Sequence, residues 1–232
     1  MESYRYTKLV PVTVTVPVLP VLSITLGITL LVWVIAPILS FTLFYAPNNV
    51  VTPLSEDAPV APANAAETTV DFSHASNWFP KVAAKKTVTP VDAYTLTIPS
   101  LRIKNAIVKI GTDDLSKNLI HYGGTALPGK EGNTVIFGHS VLPSFYDPKN
   151  YMTIFSLLPT LKEGDDIFIN FDGVDYRYEV TDYKVTDPTD VSGLEQHYDA
   201  SYITLVTCVP PGTYWQRLWL TARERPFGVV KS

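Results

Sequence analysis

The sequence predicts a mainly β domain carried behind one long apolar helix. Three observations predict it. An uncharged stretch runs from Leu9 to Ser55, with an apolar core from about Val21 to Tyr45. A segment punctuated by Pro47, Pro53, Pro59, Pro62, Pro80 and Pro90 follows. From Tyr94 onward, short runs of β-branched and aromatic residues are broken by turn-forming residues. Many short strands with one small helix suggest a closed barrel, which leaves no exposed strand edge.

Residues 1–20 read as a cytoplasmic N-terminus, because Arg5 and Lys8 precede the apolar core and basic residues stay inside. Residues 21–45 read as a transmembrane helix, since a bilayer needs about 20 apolar residues. A cleaved signal peptide would need a shorter apolar region with a small-residue site beside it. Here the Ala-rich stretch, Ala58 to Ala66, begins well past the core. Pro37 predicts a kink that a membrane span tolerates. No second apolar span is seen, so the expected topology is single-pass, with the domain that follows extracytoplasmic.

Residues 46–90 read as a stalk. Within it, Asp71-Phe72 and Asn77-Trp78-Phe79-Pro80 place aromatics on an otherwise small-residue tether. Packing on the domain surface is the preferred reading for them, and a lid across a site on the domain the alternative. Residues 91–232 form the domain. Its expected strands are 94–98, 106–110, 119–121, 133–138, 166–171, 176–183, 202–208 and 217–223. Tyr176, Tyr178 and Val180 alternate with Arg177, Glu179 and Thr181, as on a half-buried strand. Asp172-Gly173 between two such runs signals a hairpin. Residues 151–158 read as a short helix that Pro159 limits.

Composition excludes some functions. The formal net charge is −4, and no basic cluster stands out, so nucleic acid is a poor partner. One cysteine rules out an internal disulfide and a Cys-based zinc site.

That cysteine, Cys208, closes the strand-like run Thr204-Leu205-Val206-Thr207-Cys208 just before Pro210-Pro211-Gly212. A lone cysteine is often a small buried apolar residue. Outside the cytoplasm, however, an unpaired thiol at a strand end invites oxidation unless it has work to do. The next run begins near Arg217, so two neighbouring strands would set a thiol beside a guanidinium, which favours the reactive thiolate. His139 ends a third run, Thr134 to Ser140. Of the other histidines, His74 and His197 lie in polar segments, and His121 also ends a strand-like run. A thiol, an imidazole and a fixed positive charge suffice for acyl transfer through a thioester.

The Thr-Leu-Val-Thr-Cys run, Arg217 beyond it, and Gly138-His139 ending an earlier strand together resemble the sortases, membrane-anchored cysteine transpeptidases of bacterial surfaces. Tyr94 to Pro99, His121 to Gly129 and Gly132-Asn133 also resemble the family, so the likeness covers roughly Tyr94 to Val230 plus the N-terminal anchor. The resemblance implies an eight-stranded sortase barrel with Cys208 as nucleophile, His139 rather than His121 as general acid/base, and Arg217 as the oxyanion-binding group. It implies a loop from about Thr186 to Ser201 that shapes the peptide pocket, so Val191 and Leu194 become candidate substrate contacts, with Thr207 added as a further candidate. The implied reaction cleaves a C-terminal Leu-Pro-x-Thr-Gly-like sorting signal between Thr and Gly on a secreted protein. The acyl group then passes to an amine, a peptidoglycan precursor or another protein. The lack of a C-terminal span tilts the reading towards wall anchoring rather than pilus assembly. No cofactor is expected. Some sortases use calcium, but Asp113-Asp114, Asp165-Asp166 and Asp187 with Asp190 lack EF-hand spacing and read as solvated turns. Two rivals stand: another cysteine hydrolase or peptidoglycan transpeptidase, and a membrane-tethered β-domain that only binds, with Cys208 in its core.

Overall fold

The computed structural model describes residues 18–44, 71–79, 87 and 89–227. Most of the cytoplasmic N-terminus expected over 1–20 and most of the stalk expected over 46–90 lie outside these residues, and Val18, Leu19 and Pro20 belong to a helix.

Helix α1, Val18–Phe44, contains no charged residue. Its 27 residues span about 40 Å at 1.5 Å each, long and apolar enough to cross a membrane. Three of its hydroxyls are satisfied within the helix: Ser23 donates to the Leu19 carbonyl, Thr25 to Leu22 and Thr29 to Thr25. No polar side chain among these is left asking for water, as an apolar medium requires.

Eight strands follow: β1 (Ala93–Ile98), β2 (Ile103–Ile110), β3 (Leu119–His121), β4 (Gly132–Phe137), β5 (Asp166–Phe171), β6 (Val174–Thr186), β7 (Ser201–Val209) and β8 (Gln216–Glu224). They close into a barrel in the order β1-β2-β3-β4-β7-β8-β6-β5, with β5 returning to β1. Two neighbours are parallel, β2 with β3 and β4 with β7. The expected hairpin is present between β5 and β6. Asp172 and Gly173 both adopt positive φ, 52° and 76°, which suits the twist of a two-residue turn.

The short helix expected over 151–158 is not formed. Turns run through this stretch and end in a 3-10 turn at Leu158–Thr160. The reason lies in where its backbone groups go. The Phe155 amide donates to the His139 carbonyl at 3.0 Å, and the Ser156 hydroxyl accepts from the Val141 amide at 2.8 Å. Its other amides close short turns, Ser156 to the Thr153 carbonyl and Leu158 to the Phe155 carbonyl, in place of the bonds four residues back that a helix needs.

Two apolar clusters organise the domain. Inside the barrel, Leu96, Val108, Ile136, Ile167, Tyr178 and Leu205 pack with their neighbours. A second cluster covers the outer face of β3, β4, β7 and β8: Ile120, Val135, Phe137, Val206, Cys208 and Trp219. Ala75, Trp78 and Phe79, which precede the barrel in sequence, complete it.

Candidate active site

Strand pairing places Cys208 directly opposite Arg217 on β7 and β8. Successive side chains of a strand point to opposite faces. Val206 and Cys208 therefore face the outer cluster, while Leu205, Thr207 and Val209 face the other way. His139 follows the end of β4, which runs parallel to β7 up to the Phe137–Val206 pair. All three groups are buried: Cys208 is 2 % exposed, His139 5 % and Arg217 1 %.

Burial sets their protonation. It pushes the Cys208 thiol up to about 11, against a smaller opposing pull from Arg217. It also lowers the pKa of His139, with the charges of Asp71 and Asp114 opposing. At pH 7 this arrangement therefore holds a neutral thiol and a neutral imidazole. The Arg217 guanidinium donates through Nη1 to the carbonyls of Tyr214 and Gln216, both at 3.3 Å. Its Nε and the Nε2 of His139 are buried without a hydrogen-bond partner. Two unspent polar atoms in an apolar wall are costly, and such atoms mark sites that receive a ligand group.

The wall over them is the segment 71–79. The Trp78 ring lies 5.0 Å from the Arg217 guanidinium carbon and 6.0 Å from the His139 ring. Phe72 lies 5.9 Å from the same guanidinium and stacks on Tyr214 at 4.4 Å. Trp78 stacks on Phe137 and Phe79 on Trp219. The Trp78 indole N–H donates to the Phe72 carbonyl at 2.8 Å, which folds the segment into one unit. Polar groups fasten its edge: the Ala75 amide donates to the Asp113 carbonyl, the Leu115 amide to the Ser73 carbonyl, and the Ser76 hydroxyl to the Asp113 carboxylate. His74 Nδ1 lies 3.2 Å from the same carboxylate. The aromatics of this strap thus pack on the domain, and the surface they pack on is the one above His139 and Arg217.

The other sequence candidates fall as follows. His121 is engaged on both ring nitrogens, by the Tyr94 hydroxyl at 3.1 Å and the Thr125 hydroxyl at 3.4 Å, and burial lowers its pKa to about 4. Thr207 does not reach the cleft: it is wholly buried on the far face of β7, and its hydroxyl donates to the Gly138 carbonyl at 2.8 Å. That corrects its place among the substrate contacts. Leu194 packs against the outer cluster, and Val191 is exposed. Among the described residues, no three His, Cys, Asp or Glu side chains gather to hold a metal ion. The acidic pairs have other employment: Asp114 binds Lys117, Asp166 binds Arg177 and Asp190 binds Lys184.

Gly132-Asn133 has a structural task. The Asn133 side chain donates to the Gly193 carbonyl at 3.1 Å and accepts from the Thr204 hydroxyl at 2.8 Å. Gln196 answers with a two-way bond to the Asn133 backbone, 3.0 Å in each direction. Gly193 sits so tightly on Trp219 that a Cβ there would lie 2.1 Å from the ring. The loop between β6 and β7 is thereby tied to the start of β4, and through Asn133 to Thr204 on β7. Asn133 was visible only as part of a motif, and Gln196 carried no signal in the sequence.

The sortase domain family model matches residues 96–225. Sortase D of Bacillus subtilis (strain 168) is 28% identical over 117 residues, 50% of this chain and 53% of that protein, so the chain spans about half the length of this curated relative. Among solved structures, sortase C-1 from Actinomyces oris is 31% identical with a TM-score of 0.51, over 60% of this chain and 76% of that one. A lid mutant of sortase A from Corynebacterium diphtheriae is 29% identical with a TM-score of 0.51, over 66% of this chain and 77% of that one.

Proposed function

The chain belongs to the sortase family, and on that premise we propose that it is a membrane-anchored cysteine transpeptidase whose active site is closed by its own strap. One observation carries the reading: Cys208 and Arg217 are register partners, and the unpartnered nitrogens of Arg217 and His139 are buried under the same indole.

The reaction follows from these groups. With the strap open, the Cys208 thiol passes its proton to His139, and the resulting thiolate attacks the carbonyl carbon of the Thr–Gly bond of a Leu-Pro-x-Thr-Gly-like peptide. The carbonyl oxygen becomes an oxyanion facing the Arg217 guanidinium, a fixed donor where negative charge grows. The C–N bond breaks as protonated His139 gives its proton to the departing Gly amine, leaving a thioester. An incoming amine attacks the thioester, His139 takes its proton, and the thiolate leaves. The acceptor is an amine of a peptidoglycan precursor or of another protein, and α1 holds the enzyme in the membrane with the barrel outside.

The strap must move first. While Trp78 covers the site, the thiol stays protonated because burial disfavours its anion. Opening admits water and peptide together and so relieves that burial. The lid mutant of the Corynebacterium diphtheriae enzyme supports treating such a segment as a lid. The rival reading, a binding domain with Cys208 in its core, draws on the 2 % exposure of that residue. Core packing alone does not account for a buried guanidinium opposite the thiol, which a binding domain would have to keep at a cost.

The test uses the full chain in detergent with a library of sorting peptides and amines, followed by mass spectrometry. An acyl adduct on Cys208 and an amide product are expected, and both disappear in Cys208→Ala. No adduct with any peptide, even in a strap variant whose thiol is open to labelling, defeats the proposal.

A further inference from the structure

Parallel strands exchange evenly spaced backbone bonds, and a given strand donates to its neighbour at every second residue. On the β4–β7 seam, the last backbone rung runs from the Gly138 amide to the Val206 carbonyl at 3.1 Å. The next rung would join the Ser140 amide to the Cys208 carbonyl. The bond at that carbonyl comes instead from the Ser140 side chain, Oγ to O at 2.7 Å. A hydroxyl carried on Cβ reaches farther than an N–H, so the chain leaves the sheet at His139 without losing its register to β7.

Neighbouring bonds fix the same turn. The Thr207 hydroxyl holds the Gly138 carbonyl, the Phe155 amide holds the His139 carbonyl, and Ser156 holds the Val141 amide. These tie the loop to the strand and to the segment after it. The Ser140 bond ties it to the peptide group of the nucleophile itself.

We propose that Ser140 is a positioning residue: its hydroxyl, bonded to the Cys208 carbonyl, keeps the imidazole of His139 in register with the thiol for proton transfer. The inference rests on the transpeptidase reading for its purpose. Its geometry can be tested without that reading, through the thiol alone.

The experiment compares Ser140→Thr, Ser140→Val and Ser140→Ala with the parent in the full chain. Thr and Val have the same shape and differ in the hydroxyl. Each protein is assayed for peptide transfer and for the pH dependence of iodoacetamide alkylation at Cys208, with thermal unfolding as the control for folding. Misplacing a catalytic group by about 1 Å costs on the order of a hundredfold, and a loosened loop costs part of that. Ser140→Val and Ser140→Ala are expected to lose about tenfold or more in kcat with KM within about twofold. Their alkylation profiles should shift, because the thiol no longer titrates together with the imidazole. Ser140→Thr should recover most of kcat and the parent profile. Parent-like kcat and profile in folded Ser140→Ala overturn the proposal, as does a Thr variant no better than Val. If Ser140→Val fails to fold, the Ala and Thr pair decides. If the parent transfers no peptide, the transpeptidase reading fails, and the alkylation profiles still judge Ser140.

Discussion

Trp78→Ala should unlock the thiol. The indole is 2 % exposed, stacks on Phe137 at 5.4 Å, and lies 5.0 Å from the Arg217 guanidinium carbon. Truncating a buried tryptophan costs about 3–5 kcal/mol, within which a cation–π contact of this kind accounts for roughly 0.5–2 kcal/mol. The loss falls on the closed state, because in the open state the ring stands largely in water. At about 1.4 kcal/mol per tenfold, the closing equilibrium should fall by roughly a hundredfold to several thousandfold. The assay is the rate at which a methanethiosulfonate reagent modifies Cys208, the chain's one cysteine. The rate should rise with the open fraction and level off once the strap is mostly open, at the rate of an uncovered thiol. Thermal unfolding followed in parallel shows that the barrel survives. A folded Trp78→Ala protein labelled within twofold of the parent rate would refute the reasoning, since the reagent would then reach Cys208 by a route the strap does not guard.

Three further outcomes follow from the same geometry. Asp113 hydrogen-bonds His74 and raises its pKa, so protonated His74 stabilises the closed strap; that contribution is complete below the ordinary histidine value and is lost as pH rises through the raised one. Cys208 labelling should therefore climb with pH more steeply than thiol ionisation explains, and His74→Asn should flatten the excess, as read by labelling rates across pH 5–9 at about 0.1 M salt. Arg217→Lys keeps a charge but loses the fork of donors, and should lower kcat by about a hundredfold with a smaller change in KM, measured by steady-state transfer. Asn133→Ala releases the Gly193 carbonyl of the loop between β6 and β7 and removes the acceptor to which the Thr204 hydroxyl of β7 donates, and should raise KM for peptide several-fold and lower the unfolding temperature, measured by kinetics and calorimetry.

The strands were legible because they carry their own periodicity, and each of the eight expected runs overlaps an observed one to within a few residues at its ends. Their spatial order was not. The parallel pairs β2–β3 and β4–β7 depend on crossovers, which leave no local signal. The expected helix over 151–158 misled because its apolar spacing suits a helix, while the Phe155 amide is drawn off by the His139 carbonyl and its neighbours close short turns. At the site, the register that sets Cys208 against Arg217 could be anticipated from two runs joined by a short turn. The strap position could not: aromatics on a proline-rich tether say that something will be covered, not what. Ser140 was invisible for the same reason, since a serine after a histidine acquires meaning only when a carbonyl from β7 stands within its reach.

Gln196 acts as a borrowed peptide group. Its amide accepts from one backbone and donates to the same residue, as a neighbouring strand would. With Gly193 wedged on Trp219, the excursion between β6 and β7 is riveted near its return, whereas its crest at Val191 faces solvent. Residues at the crest can therefore be exchanged without disturbing the framework that aligns the thiol. Under the proposed transpeptidase reading, change confined to the crest alters what meets the substrate while the reactive centre stays as it is.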